Sequence, residues 1–468
     1  MNIQRREFLT GAAALSLVGW RRMAEAAGYP DYYAAHLKHV SDRVNALAKT
    51  CPDGFWFMTD LHVKSNRCRS GELMAALSKT TPLKRVLCGG DLVEAFGKAY
   101  PTDRAGVDFA IDTYRRHWLV PLREAGCRLY TAKGNHDFTI CHSYDTPEDK
   151  KRGWTMDGVS ARNFIVGEAT ESGIVTNTAD PSACYYYFDN AAAKVRYVVI
   201  DTTDTETAGD VPWAVHYSVS PRQLAWLETE AFGTTPAGWG LVVMHHVPVT
   251  GVVGSEKDVI HFKPLRELLE RYQRQGKGRI LIDLTGHHHC EMETFQRGIL
   301  HVTNPCDAAY MDYIDRSKPW CGDLPTKDAG TIAEQTFDAV QIDMARDLIH
   351  FTRVGGGQDR SFHLKSLSAK VGEPLGFAST LLKGRVTWGC FDADRVTTKP
   401  HPTNRFLKNV LYHNDRATIT VDGTLHPTAC GEIVVIAMDE HLNKEIFPVE
   451  IGGYGARERG GAIYSGLR

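Results

Sequence analysis

The sequence predicts an α/β fold, on three observations. Short apolar runs alternate with amphipathic stretches from Phe55 onward; the amphipathic stretches stop at glycines; and polar residues able to bind metal follow nearly every apolar run. Strands alternating with helices give layers in which helices cover a sheet. In chain order, FWFMT (55–59), KRVLC (84–88), CRLYTA (127–132), VRYVVID (195–201), GLVVM (240–244) and RILIDLT (279–285) have the length and composition of buried strands. AIDTYRRHWLVPLREAG and PLRELLERYQRQG are amphipathic and end at Gly126 and Gly276, as helices with glycine C-caps do. Residues 141–182, rich in Asp, Thr, Gly and Ser, read as a long loop insertion. FDAVQIDMARDLIHFTRV (337–354) alternates with period two about a turn, the pattern of a closing hairpin. Beyond GGGQ (355–358), RVTWGCF, RATITVDG, GEIVVIAMDE and KEIFPVEIGG predict a small β-rich region over residues 364–468.

A chain of 468 residues is long enough for one large domain and a smaller one. A net charge of -2 argues against a nucleic-acid polymer as partner, since no basic excess exists to pair with phosphates. The first thirty residues differ from the rest. Arg5 and Arg6 precede an apolar run over 8–20, which is too short to span a bilayer, for which about 20 residues are needed. Arg21 and Arg22 close that run, and Ala24-Glu25-Ala26 offers a small-x-small cleavage site. Residues 1–26 resemble a twin-arginine export signal, which implies a periplasmic protein with no stable membrane anchor. The eleven cysteines are odd in number and contain no CxxC pair, so no disulfide framework is expected.

The chemistry-bearing residues stand where open α/β folds build their sites, beyond the C-terminal ends of strands. The first run leads into Asp60 and His62, the second into Gly89-Gly90-Asp91, the third into Asn135, His136 and Asp137. A later run leads into His245 or His246, and the last into GHHHCE, with His287, His288 and His289. Alone, an Asp-x-His is usually a surface turn and a Gly-Asp usually a helix N-cap. Five such pieces in order, each at a strand end, are not independent accidents. In an extended segment alternate residues share a face, so His287 and His289 can converge while His288 turns away. His216, His261 and His301 read as structural histidines.

The set Asp60-x-His62, Gly90-Asp91, Gly134-Asn135-His136-Asp137, His245 and Gly286-His287-x-His289 resembles the calcineurin-like metallophosphoesterases, over roughly 55–360. The resemblance implies a four-layer α/β/β/α sandwich over about 50–363 with two divalent ions at one edge. One ion would take Asp60, His62, Asp91 and His289; the other would take Asp91, Asn135, His245 and His287. Imidazole mixed with carboxylate suits Zn, Mn, Fe, Co or Ni, and the lack of a Cys in the set argues against a soft thiolate site. In the family two ions about 3.5–4 Å apart share a bridging hydroxide that attacks phosphorus. By the same resemblance His136 stands beside the phosphate, oriented by Glu94. Asp137 and Glu291 read as partners that hold ligand imidazoles in place.

Departures from subfamily patterns narrow the field. His62 and Glu94 stand where purple acid phosphatases carry Gly and a metal-binding Tyr. Glu94-Ala95 replaces the Asp-Arg of serine/threonine protein phosphatases. The expectation is a phosphoesterase acting on a small phosphomonoester or phosphodiester. The alternatives are a nucleotide or cyclic-nucleotide phosphodiesterase and a metal-bearing binding protein without turnover.

Overall fold

The computed structural model describes residues 31–63, 69–93, 104–137, 158–204, 218–249, 262–289, 291–307, 331–394, 396–400 and 408–452. Residues 1–26, Glu94, His216 and His261 lie outside these. The chain enters through a helix, α1 (Asp31–Leu47), followed by β1 (Asp53–Met58), helix α2 (Ser70–Thr80), β2 (Arg85–Cys88) and β3 (Arg128–Thr131). A second group of strands follows: β4 (Val175–Thr176), β5 (Tyr186–Asn190), β6 (Val195–Val199), β7 (Gly240–Met244), β8 (Arg279–Thr285), β9 (Met292–Gln296) and β10 (Ile299–Thr303). Helix α3 (Lys263–Gln275) precedes β8 and ends at Gly276, whose φ of 65° supplies the left-handed C-cap expected there. The predicted hairpin is β11 (Thr336–Asp343) and β12 (Leu348–Gly355), with β13 (Arg360–His363) beside it.

The C-terminal strands are β14 (Leu367–Ala369), β15 (Leu375–Gly376), β16 (Thr387–Asp392), β17 (Val396–Pro400), β18 (Lys408–Tyr412), β19 (Ala417–Ile419), β20 (Thr424–Pro427), β21 (Gly431–Met438) and β22 (Lys444–Ile451). One large sheet runs β16-β21-β22-β13-β12-β11-β1-β2-β3, with β14 also paired to β22; the other runs β4-β5-β6-β7-β8-β10-β9. Strands β1, β2 and β3 are mutually parallel, as are β6, β7, β8 and β10. Each sheet therefore gathers several C-terminal strand ends at one edge.

Parity within the strands builds the layers. On β7, Val242 and Met244 join a core shared with Phe55, Phe57 and Val86 of the first sheet, whereas Leu241 and Val243 pack with Leu265, Leu268 and Leu269 of α3. Alternate residues of one strand thus face the opposite sheet and the covering helix. Across the sheets, the Tyr197 hydroxyl donates to Asp53 Oδ2 at 2.5 Å and Tyr130 stacks on Phe188 at 3.7 Å between centroids. On the far face of the first sheet, Leu37, Val40 and Val44 of α1 and Leu73 and Leu77 of α2 complete that core. The result is the four-layer α/β/β/α sandwich.

The structure revises the reading of residues 141–182. Within the described part, Gly158–Arg162 is helical and continues as a π-helix over Asn163–Glu168, burying Phe164, Ile165 and Val166. Its apolar side chains fill a place beside β3, where Thr131 Oγ1 donates to the Ile165 carbonyl at 2.5 Å. No disulfide is present among the described residues. No described helix is long and apolar enough to cross a membrane.

Candidate metal centre

Beyond their last residues, β1 and β2 run on side by side. Asp60 N donates to the Gly90 carbonyl at 3.0 Å, His62 N to that of Asp91 at 3.0 Å and Val63 N to that of Leu92 at 3.1 Å. This pairing brings Asp60, His62 and Asp91 together at the sheet edge. The loop after β3 joins them through Asp137. Its buried carboxylate accepts the backbone N–H of Gly134 at 2.8 Å, of Asp91 at 3.0 Å and of Val93 at 3.2 Å. Gly134 must lack a side chain, because a Cβ there would stand 2.1 Å from Asp91 Oδ1. The second sheet closes the site from β8: His287 N donates to both Asp60 carboxylate oxygens, at 3.1 and 3.0 Å. Gly286 permits that approach, since its Cβ would lie 2.2 Å from Asp60 Oδ2.

Donor atoms converge in two groups that share one carboxylate. Asp60, His62, Asp91 and His289 form the first, and Asp91, His246 and His287 the second, each within 4.8 Å. In the first, His62 Nε2 and His289 Nε2 face one another at 3.0 Å, with His289 Nε2 3.1 Å from Asp60 Oδ1. In the second, His246 Nε2 lies 3.0 Å from Asp91 Oδ2, and Asn135 Oδ1 lies 3.0 Å from His246 Nε2 and 2.8 Å from His287 Nδ1. Asp60 and Asp91 are buried, so their charges need cations nearby. Burial opposes ionisation of Asp60, but His289 and His62 outweigh it and hold the carboxyl well below its usual range. Asp91 is likewise held low against burial by His246, His136 and His62. Burial, reinforced by His288 and His246, pushes His287 well down, which keeps the ring neutral with one nitrogen lone pair available.

Backbone strain is concentrated here. Of the nine described non-glycine residues with positive φ, five are Asp60 (55°), His62 (43°), Asp91 (52°), His287 (69°) and His289 (50°). A left-handed conformation costs an ordinary L-residue roughly 1–2 kcal/mol, so such a cluster marks a functional site. The residues present also fit divalent ions. Two imidazole nitrogens facing at 3.0 Å need a shared proton or a cation between them. Imidazole, carboxylate and amide oxygen together suit ions of intermediate hardness.

The family model for calcineurin-like phosphoesterases matches residues 54–291, just over half of the chain. The chain belongs to that family. Solved structures similar to this phosphoesterase include a dimetal phosphatase from Danio rerio, at 14% identity over 66% of this chain and 98% of that one, with a TM-score of 0.44. PhoD follows at 12% identity over 64% and 65%, TM-score 0.40. A phosphopantetheinyl hydrolase from Mycobacterium tuberculosis stands at 10% identity over 54% and 90%, TM-score 0.29. Among curated proteins none matches.

Six of the seven residues expected to bind metal in this phosphoesterase, Asp60, His62, Asp91, Asn135, His287 and His289, meet at the edge just described. His245 does not. It turns to the other face, where its Nε2 lies 2.7 Å from Asp283 Oδ1 and its Nδ1 2.9 Å from the Val247 carbonyl. Asp283 Oδ2 is in turn 2.7 Å from His301 Nδ1. His246 takes the place expected of His245, with its Nδ1 2.8 Å from the Gly89 carbonyl. An acidic residue inside the apolar run RILIDLT was the sequence signal for a buried polar partner on the neighbouring strand. Glu291 also departs from expectation: it pairs with Arg353 Nη2 at 2.6 Å and Arg360 Nη1 at 3.1 Å, not with an imidazole. Asp137 braces backbone, not a ring. His136 is partly exposed at the site, its N donating to Asp91 Oδ1 at 2.8 Å and its Nε2 3.9 Å from Asp91 Oδ2.

Proposed function

We propose that the chain is a metal-dependent hydrolase of small phosphoesters that works with two divalent ions. One observation carries this reading: the Asp91 carboxylate stands in both donor groups, so it can join two ions. Asp60, His62 and His289 would hold one, and His246, His287 and Asn135 the other. Bound there, divalent ions supply Lewis acidity toward a phosphoryl oxygen and make water nucleophilic near neutral pH. The remaining work belongs to the chain. Asp137 fixes the loops that carry Asp91 and Asn135, and the Asp60 carboxylate fixes the His287 backbone. His136, with its ring edge against His62 at 4.6 Å between centroids, is positioned to give a proton to the departing oxygen.

The test is a panel of chromogenic phosphomonoesters and phosphodiesters, including nucleotide and cyclic-nucleotide esters, with metal-loaded protein. His136→Ala should keep its metal and lose roughly 10²–10⁴-fold in rate. Metal loss in that variant, or no turnover of any ester by the wild type, would overturn the reading. The proposal includes export to the periplasm through residues 1–26, supported by Arg5 and Arg6. Cell fractionation checks it: with both arginines replaced by lysine the chain should stay in the cytoplasm, and undiminished export would refute it.

A further inference from the structure

A cysteine stands against the site on a segment that the expected ligand set omits. Cys306 follows β10, which is parallel to β8, so it leaves the sheet at the same edge as His287 and His289. It is fully buried, and its sulfur lies within 4.8 Å of donor nitrogens of both His62 and His289. The segment is fixed on both sides of it. Asn304 N donates to the Thr285 carbonyl at 2.9 Å, Asn304 Nδ2 donates to Asp338 Oδ2 at 2.8 Å, and Asp307 N donates to the Thr59 carbonyl at 3.1 Å. Asp307 Oδ1 accepts the Thr336 N–H at 3.0 Å, and its Oδ2 accepts the Ser70 hydroxyl. The thiol itself donates at 3.1 Å to the carbonyl of Asp60, one of the strained residues of the turn that carries His62.

Three buried donors thus reach one place from three strand ends, β1, β8 and β10. Bonds of about 2.3 Å to sulfur and 2.0–2.1 Å to imidazole nitrogen are short enough for small side-chain rotations to close such a group on one ion. We propose that Cys306 is a thiolate ligand of the ion held by His62 and His289, which gives that position a preference for thiophilic ions such as Zn over Mn. The proposal rests on the metal-centre reading above and deepens it.

Cobalt(II) loading separates the two claims. If Cys306 is a ligand, cobalt-loaded wild type shows a near-ultraviolet thiolate-to-cobalt charge-transfer band. That band should be lost in Cys306→Ser and Cys306→Ala, while the visible ligand-field bands of the remaining site persist. Visible bands without a charge-transfer band in wild type would overturn the role of Cys306 and leave the metal centre standing. A band that survives in Cys306→Ser would assign the thiolate to another cysteine and equally overturn it. Failure to bind cobalt at all would remove the metal-centre reading, and this one with it. X-ray absorption of zinc-loaded wild type needs no variant: it should show a sulfur scatterer at about 2.3 Å, and only light scatterers would contradict the proposal.

Discussion

His245 and His246 are adjacent in sequence and opposite in role. His246 shares parity with Val242 and Met244, which face the opposite sheet, and arrives between Asp91 and Asn135. His245 follows Leu241 and Val243 and is spent on Asp283. The two alanine variants should therefore fail differently. His246→Ala should lose metal at the position it shares with His287, with some loss of stability as well, because His246 is a partner of the buried Asp91 carboxylate. His245→Ala should keep its metal but lose about 1–3 kcal/mol of stability, because it strips a partner from a buried carboxylate. Metal analysis distinguishes them, thermal unfolding measures the stability lost, and the reverse pattern of metal loss would restore His245 as the ligand. The convergence of His287 and His289 was legible in GHHH, although the segment is not extended as alternation supposed: both residues have positive φ, 69° and 50°, and His288 N donates to the Gly286 carbonyl at 2.8 Å. The choice at MHHVP was not: GLVVM is apolar at every position, as strands buried on both faces are, so no alternation marks its inward side.

At the scale of elements, the strands of the parallel core and the hairpin β11–β12 stand where their apolar runs placed them. Contacts between elements distant in sequence were not legible. Glu291 follows the ligand segment closely, which invited a role at the metal, yet its partners come from the first sheet. Arg353 of β12 and Arg360 of β13 bind Glu291, Arg360 also binds Glu293 of β9 at 2.8 Å, and both arginines bind Asp338 of β11. Against the pull of burial, these arginines hold the Glu291 carboxyl low. A buried network of this kind ties the two sheets together. Arg360→Met leaves carboxylates uncompensated and should cost about 3–5 kcal/mol. Denaturant unfolding measures it; a change within about 0.5 kcal/mol, typical of surface positions, would show that the network holds nothing.

Across the whole molecule, the C-terminal strands are continuous with the rest. β22 pairs in parallel with β13, and β21 sends Val434 and Ile436 into the shared core and Ile433, Val435 and Ala437 into a C-terminal one. The composition shift after Gly355 signalled a β-rich region, but a shared sheet leaves no mark in composition, because its inner and outer faces are both apolar. The candidate site likewise belongs to no single sheet: Asp60, His62 and Asp91 come from the first, His246, His287 and His289 from the second. Asp91 is the group on which both donor sets depend. Metal content per chain, measured by plasma mass spectrometry on wild type and on Asp91→Ala, tests that most directly. The expected result is about two ions per wild-type chain and near-complete loss from Asp91→Ala. Wild type without bound metal, or Asp91→Ala with its full complement, would contradict it.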